Sequence, residues 1–269
     1  MNRRFFSFLL IIAFVFSCQT VPVTGRSQLA LIPNSELFPM SYQSYQQVLG
    51  ESRLSNNQQQ VAMIKRVGKR IQTAVEKYMT DNGAANQLQG FNWEFNLIEN
   101  DEMINAWCMP GGKVAFYTGI LPICKDEAGV AVVMGHEIAH AIANHGGERM
   151  SQGMVAQLGL SSLQMAMGQN PKLTNQLLLQ AVGAGTQIGM LSFSRQHESE
   201  ADKIGLIFSS MAGYDPREAP EFWKRMKAAA GGQAPPEFLS THPSSDRRIA
   251  DLNAQMPEAV KIYNQYKNQ

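Results

Sequence analysis

The sequence predicts a mostly helical α+β fold with one small antiparallel sheet. Three observations carry that expectation. Val61, Ile64, Val67, Ile71 and Val75 recur at three- and four-residue spacing, the period of a helix with one apolar face. Phe91, Trp93, Phe95 and Leu97 alternate with Asn92, Glu94 and Asn96, the period of a half-buried strand. "VVMGHEIAHAIANH" is an apolar helix, alanine- and valine-rich, that nonetheless carries three histidines.

The chain has 269 residues, 44% of them hydrophobic, enough to bury one sizeable core. A formal net charge of +1 and the lack of a long basic run argue against a nucleic-acid partner.

The first element is a processing segment. Arg3 and Arg4 precede an apolar run from Phe5 to Ser17 that is short for a bilayer span and is flanked like a signal peptide. Ser17 before Cys18 resembles a bacterial lipobox, although Phe16 is bulkier than that pattern usually shows. The expected organisation is a leader over residues 1–17 and a lipidated tether over 18–40, with Cys18 as the lipidation site, followed by one domain over 41–269. "QTVPVTGRSQLALIPN" reads as the extended part of the tether. Of the two other cysteines, Cys108 and Cys124, spacing alone does not say whether they pair.

A helical stretch is expected from Ser41 to Met79, ended by Gly83 and Gly90. The strand at Phe91 follows, then a turn at Pro110-Gly111-Gly112 and a second run of strand formers at Val114–Thr118. Asp126 or Glu127 can open the histidine helix, where a carboxylate suits the positive helix end. Residues 150–194, rich in Met, Leu, Ala, Gly and Gln, read as a helical insert that covers a cleft or leans on a membrane.

On a helix, positions four apart lie about 40° from each other on one face. His136 and His140 can therefore present two imidazoles to one metal ion. Glu137, turned about 100° aside, can reach a water beside the metal without being a ligand. A third ligand is required. His145 faces about 140° away from His140 on a continuing helix, so an all-histidine set fails and His145 is left to a supporting or surface position. "FSRQHESEADKIGLIF" offers His197, Glu198, Glu200 and Asp202 instead. Glu198 and Asp202 share a face; if Glu198 ligates, Asp202 can accept the free N–H of a liganding histidine. Glu200 lies about 200° from Glu198 and is expected to face solvent or a basic side chain. Arg195 and His197 are read as ordinary polar residues at the helix start.

"GHEIAH" followed by "SRQHESEAD" resembles the HtpX, Oma and CAAX-prenyl-protease group of zinc metalloendopeptidases, and above all its periplasmic lipoprotein members of the LoiP and BepA type. The resemblance runs from about Ser41 to Gln255 and implies a zincin-type protease domain with one zinc ion held by His136, His140 and Glu198. It also implies that Glu137 is the general base and that Asn105 and Ala106 lie on an edge strand beside the cleft, where a peptide can pair. "STHPSSDRRIADL" is similar to the group's Thr-His-Pro segment. That similarity implies that His242 can take the fourth zinc position and keep the enzyme latent, and that His242 or Arg248 steadies the oxyanion. A stand-alone protease domain is expected, without the helical repeat array of the BepA type. The implied function is cleavage of misfolded or unassembled envelope proteins by a periplasmic protein anchored through lipid to the bacterial outer membrane, with outer-membrane assembly machinery as a further partner. The competing expectation is a zinc-plugged assembly factor with little turnover.

Overall fold

A computed structural model describes residues 18–158, 193–231, 237–243 and 246–268. The leader over 1–17 and most of the insert expected at 150–194 lie outside the described residues.

The segment expected to be a tether is packed against the domain. Strands β1 (Cys18–Thr20) and β2 (Ser27–Leu29) form an antiparallel hairpin, and Val21 beside it is fully buried. Helix α1 (Asn34–Glu51) starts seven positions before the expected Ser41. The single helix expected to Met79 is two: the backbone extends at Ser52, Leu54 bridges to Ile98, and the Asn57 side chain caps α2 (Gln58–Asp81) by accepting from the Gln60 N–H. Apolar spacing does not register such a break, because the polar stretch between the helices is short. Within α2 the buried face runs through Ile64, Val67, Ile71 and Val75.

The main sheet has the order β3 (Glu94–Ile98), β5 (Lys113–Tyr117), β4 (Ala106–Met109). Strands β4 and β5 are the antiparallel pair joined through the predicted turn, with Gly111 at φ +83° and Gly112 at φ +87°. A side chain at either glycine would be strained in that left-handed region, and a Cβ on Gly112 would meet the Trp93 ring at 2.6 Å. Strand β3 joins β5 in parallel, so the sheet is mixed and not wholly antiparallel. Alternation reports which face of a strand is buried, not the direction of its neighbour.

After the short helix α3 (Leu121–Cys124), Asp126 caps α4 (Glu127–Ile142) by accepting from the Ala128 and Gly129 N–H groups. Helix α4 carries the histidines and packs against edge strand β4 on one side and α6 (Arg195–Met211) on another. Two glycines set the second crossing. A Cβ on Gly135 would lie 2.9 Å from the Gly205 carbonyl oxygen, and one on Gly205 would lie 2.8 Å from the His136 nitrogen. The backbones therefore touch one residue from a histidine of the site. Helices α5 (His145–Leu158), α7 (Glu218–Ala229), α8 (Glu237–Thr241) and α9 (Asp246–Tyr266) complete the described fold. Mostly helical with small sheets, it is the α+β class expected. Among the described residues no helix is long and apolar enough to cross a membrane.

Candidate metal centre

His136, Glu137 and His140 are all buried on α4, which is capped, alanine-rich and free of glycine or proline between them. Helix α6, fixed by the glycine crossing, brings Glu198 to the same place. His242 arrives from the segment between α8 and α9. One donor atom from each of His136, His140, Glu198 and His242 lies within 4.8 Å of the others.

The donors point at one another. His136 Nε2 is 3.1 Å from His140 Nε2 and 3.2 Å from His242 Nδ1. Glu198 Oε1 is 3.0 Å from His242 Nδ1 and 3.5 Å from His140 Nε2. Nitrogen and oxygen ligands about 2.0–2.1 Å from a tetrahedral cation stand about 3.3 Å apart, so this set has the spacing of such a site. The charge balance agrees. Asp202 and Glu198 outweigh the burial that would lower His136, and raise it to about 9. Burial pushes the Glu137 carboxyl up to about 8, with the Glu198 charge adding to it and His136 and Arg248 opposing. Glu137 Oε1 is buried without a hydrogen-bond partner among the described residues. Burial lowers His140, and lowers His242 to about 4, which keeps these two imidazoles neutral and able to ligate; together with the carboxylate oxygen of Glu137 that lacks a hydrogen bond, such a set fits a cation.

Around the donors the walls are built from several elements. Asp202 Oδ1 lies 3.1 Å from His136 Nδ1. Arg248 grips Asp202 through Nε at 2.7 Å and a terminal nitrogen at 2.6 Å, reaches Glu198 Oε2 at 2.5 Å, and lies 3.7 Å over the Trp223 ring. His242 is stacked between Phe238 and Phe193, with ring centroids at 4.6 and 5.0 Å. Its Nε2 faces Glu137 Oε1 at 3.5 Å. A cavity of about 10 Å³, room for about one water, is lined by Glu137, His140, Cys108 and Phe193 among others. Asn105 and Ala106 are buried at the start of β4, the edge strand beside α4.

Residues 65–256 match the sequence profile of Peptidase family M48. The chain belongs to that family. Among relatives, the mitochondrial metalloendopeptidase OMA1 of Arabidopsis thaliana is 38% identical over 198 residues, covering 72% of this chain and 38% of the relative. Human mitochondrial metalloendopeptidase OMA1 is 30% identical over 266 residues, covering 94% and 49%. The β-barrel assembly-enhancing protease of Escherichia coli K12 is 31% identical over 247 residues, covering 89% and 47%. Each of these three matches takes in less than half of the relative's own length.

Other residues of this M48 chain stand differently from the sequence expectation. His145 does not sit on a continuation of the histidine helix. Helix α4 ends at Ile142, Asn144 adopts φ +54°, and α5 begins at His145. Asn tolerates that left-handed conformation, and the reversal turns His145 back until its Nδ1 is 2.9 Å from His140 Nδ1. Glu200 is buried, bound to His145 and, as one of its two expected options, to a basic side chain, Arg26. His197, expected to be an ordinary polar residue, is buried with Nε2 3.0 Å from Glu148. Cys108 and Cys124 are buried free thiols. No local motif marks Arg26, Glu148 or Trp223, since each acts through a partner far away in the chain.

Proposed function

We propose that the chain is a zinc metalloendopeptidase acting on unfolded or misassembled proteins of a bacterial envelope. The observation that carries this reading is Glu137, a buried carboxyl with one oxygen lacking a hydrogen bond, set between two convergent imidazoles, one residue after His136 and three before His140, and beside a small cavity. His136, His140 and Glu198 would hold the ion, with Asp202 accepting the His136 Nδ1–H. Zinc there supplies Lewis acidity toward water and toward the scissile carbonyl.

Glu137 takes a proton from the attacking water and returns it to the leaving amine. Burial raises the carboxyl to about 8, which favours its neutral form; a divalent cation close by would draw it lower and leave it ionised, able to accept that proton. Edge strand β4, entered at Asn105 and Ala106 and buried in this structure, is the strand on which an extended substrate would pair. His242 is the fourth donor and closes the site; displaced, it is the group free to steady the oxyanion. Arg248, whose guanidinium is engaged by Asp202 and Glu198, holds those carboxylates in place of an oxyanion role.

Cys18 is the proposed lipid attachment point, which would tether the domain to the periplasmic face of the outer membrane. The Escherichia coli relative, named for enhancing β-barrel assembly, supports an envelope setting. The mitochondrial names of the other relatives support a different compartment, and the lipobox-like run before Cys18 favours the first.

The decisive experiment is casein cleavage with metal analysis for the wild type, Glu137→Gln and His242→Ala. Glu137→Gln should keep its zinc and lose hydrolysis, and His242→Ala should cleave faster than wild type. The close packing of four donors favours one second reading, a plugged assembly factor. Zinc-loaded protein that cleaves nothing in either the wild-type or the His242→Ala form would favour that alternative.

A further inference from the structure

We propose that the N-terminal hairpin is a working part of the metal centre, with Arg26 acting as a positioning residue for His140 through Glu200 and His145. The proposal rests on the reading of His140 as a ligand, and the deduction runs along hydrogens. His140 and His145 face each other Nδ1 to Nδ1 at 2.9 Å, so one of the two nitrogens must carry the hydrogen. His140 Nε2 is turned into the donor set and, as a ligand, is bare; its hydrogen is therefore on Nδ1 and is donated to His145. His145 Nδ1 then accepts, which puts the His145 hydrogen on Nε2, 2.9 Å from Glu200 Oε2. Every tautomer in the line is fixed by its neighbour.

Glu200 in turn is aimed by the hairpin. Arg26 Nε donates to Glu200 Oε2 at 2.6 Å, and the Thr24 hydroxyl donates to Oε1. The other edge of the same guanidinium donates to Glu148 at 2.8 and 3.2 Å, and Glu148 also receives His197 Nε2 at 3.0 Å. Arg26 thus joins a carboxylate on α5 to one on α6, both nearly buried, from the turn between β1 and β2. The two liganding histidines are then supported in two ways: His136 directly by Asp202, and His140 at one remove, by Glu200 through His145. Partners of this kind are worth about 10–100-fold in metal affinity. A pull or a binding event on the N-terminal segment would reach the metal through this line.

The test is zinc affinity of the full chain by competition with a chromophoric chelator. Arg26→Ala should bind zinc about tenfold more weakly, Arg26→Lys should recover part of the loss, and Arg66→Ala, which removes a surface pair with Glu127, should change nothing. In a His145→Ala background, Arg26→Ala should add no further loss. A folded Arg26→Ala protein with wild-type affinity overturns the proposal, as do losses at Arg26 and His145 that multiply. If Arg26→Ala does not fold, Thr24→Val, which removes only the hydroxyl donated to Glu200, should still weaken zinc several-fold, and unchanged affinity there overturns it equally. A wild-type chain that binds no zinc overturns the ligand reading itself; wild-type binding with an unaffected Arg26→Ala overturns the relay alone.

Discussion

Asp202 Oδ1 and His136 Nδ1 meet at 3.1 Å, one helical turn beyond Glu198 on the same face of α6. A carboxylate can only accept, so on the proposed reading it would hold the hydrogen on Nδ1 and leave Nε2 bare toward the other donors. Asp202→Asn would replace that fixed acceptor with an amide able to present either end. Zinc affinity should fall about 10–100-fold with the fold retained. Chelator competition measures it, and an unchanged affinity would count against the supporting role of Asp202.

The crossing of α4 and α6 has no space for a methyl group. At Gly205 a Cβ would press on the His136 backbone nitrogen at 2.8 Å, and backbone cannot swing away as a long side chain can. Gly205→Ala should cost about 1–3 kcal/mol in urea unfolding and lower zinc affinity as well, because Glu198 moves with α6. A variant that lost stability but bound zinc normally would show that the crossing does not set the ligand spacing.

Arg248 is the buried cation that balances Glu198 and Asp202. Arg248→Met keeps much of the packing over Trp223 and leaves two buried carboxylates without their partner. The metal-free protein should lose about 3–5 kcal/mol. Zinc should restore more stability to this variant than to the wild type, since a bound cation compensates the same charges. Denaturant curves with and without chelator check both parts, and equal zinc stabilisation would contradict the second.

Acid should weaken the hairpin attachment through Glu148. Burial pushes that carboxyl up, but hydrogen bonds from His197 and Arg26 outweigh it and hold it at about 2, below its ordinary 4.5. A folded-state value below the unfolded one means a contribution complete above about pH 4.5 and lost progressively as the pH falls toward 2. Taken in full that difference is about 3 kcal/mol, and screening by solvent at this partly buried cluster reduces it to about 2 kcal/mol. Glu148→Gln should flatten the stability profile over that window, and a profile as steep as that of the wild type would place the acid sensitivity elsewhere.

Helix periodicity makes part of this centre legible. His136 and His140 share a face by spacing alone, as do Glu198 and Asp202, and all four positions lie on uninterrupted helices where that geometry is reliable. The same arithmetic misplaces His145, because it assumes that α4 continues where Asn144 turns left-handed. It separates Glu200 from Glu198 but cannot name the histidine and the arginine that Glu200 meets. The direction of β3 and the gap between α1 and α2 are hidden for a related reason. Each depends on pairing across the chain, and local spacing carries no information about the partner.

The four donors come from three stretches of chain, and His136 and His242 stand 106 positions apart. A chain emerging from the ribosome, or threading through a membrane, therefore exposes its paired histidines long before Glu198 and His242 exist beside them. The early part can hold metal only loosely, and Arg248, which neutralises the Glu198 side, arrives later still. Peptide cleavage on the proposed reading is then the last property the molecule acquires.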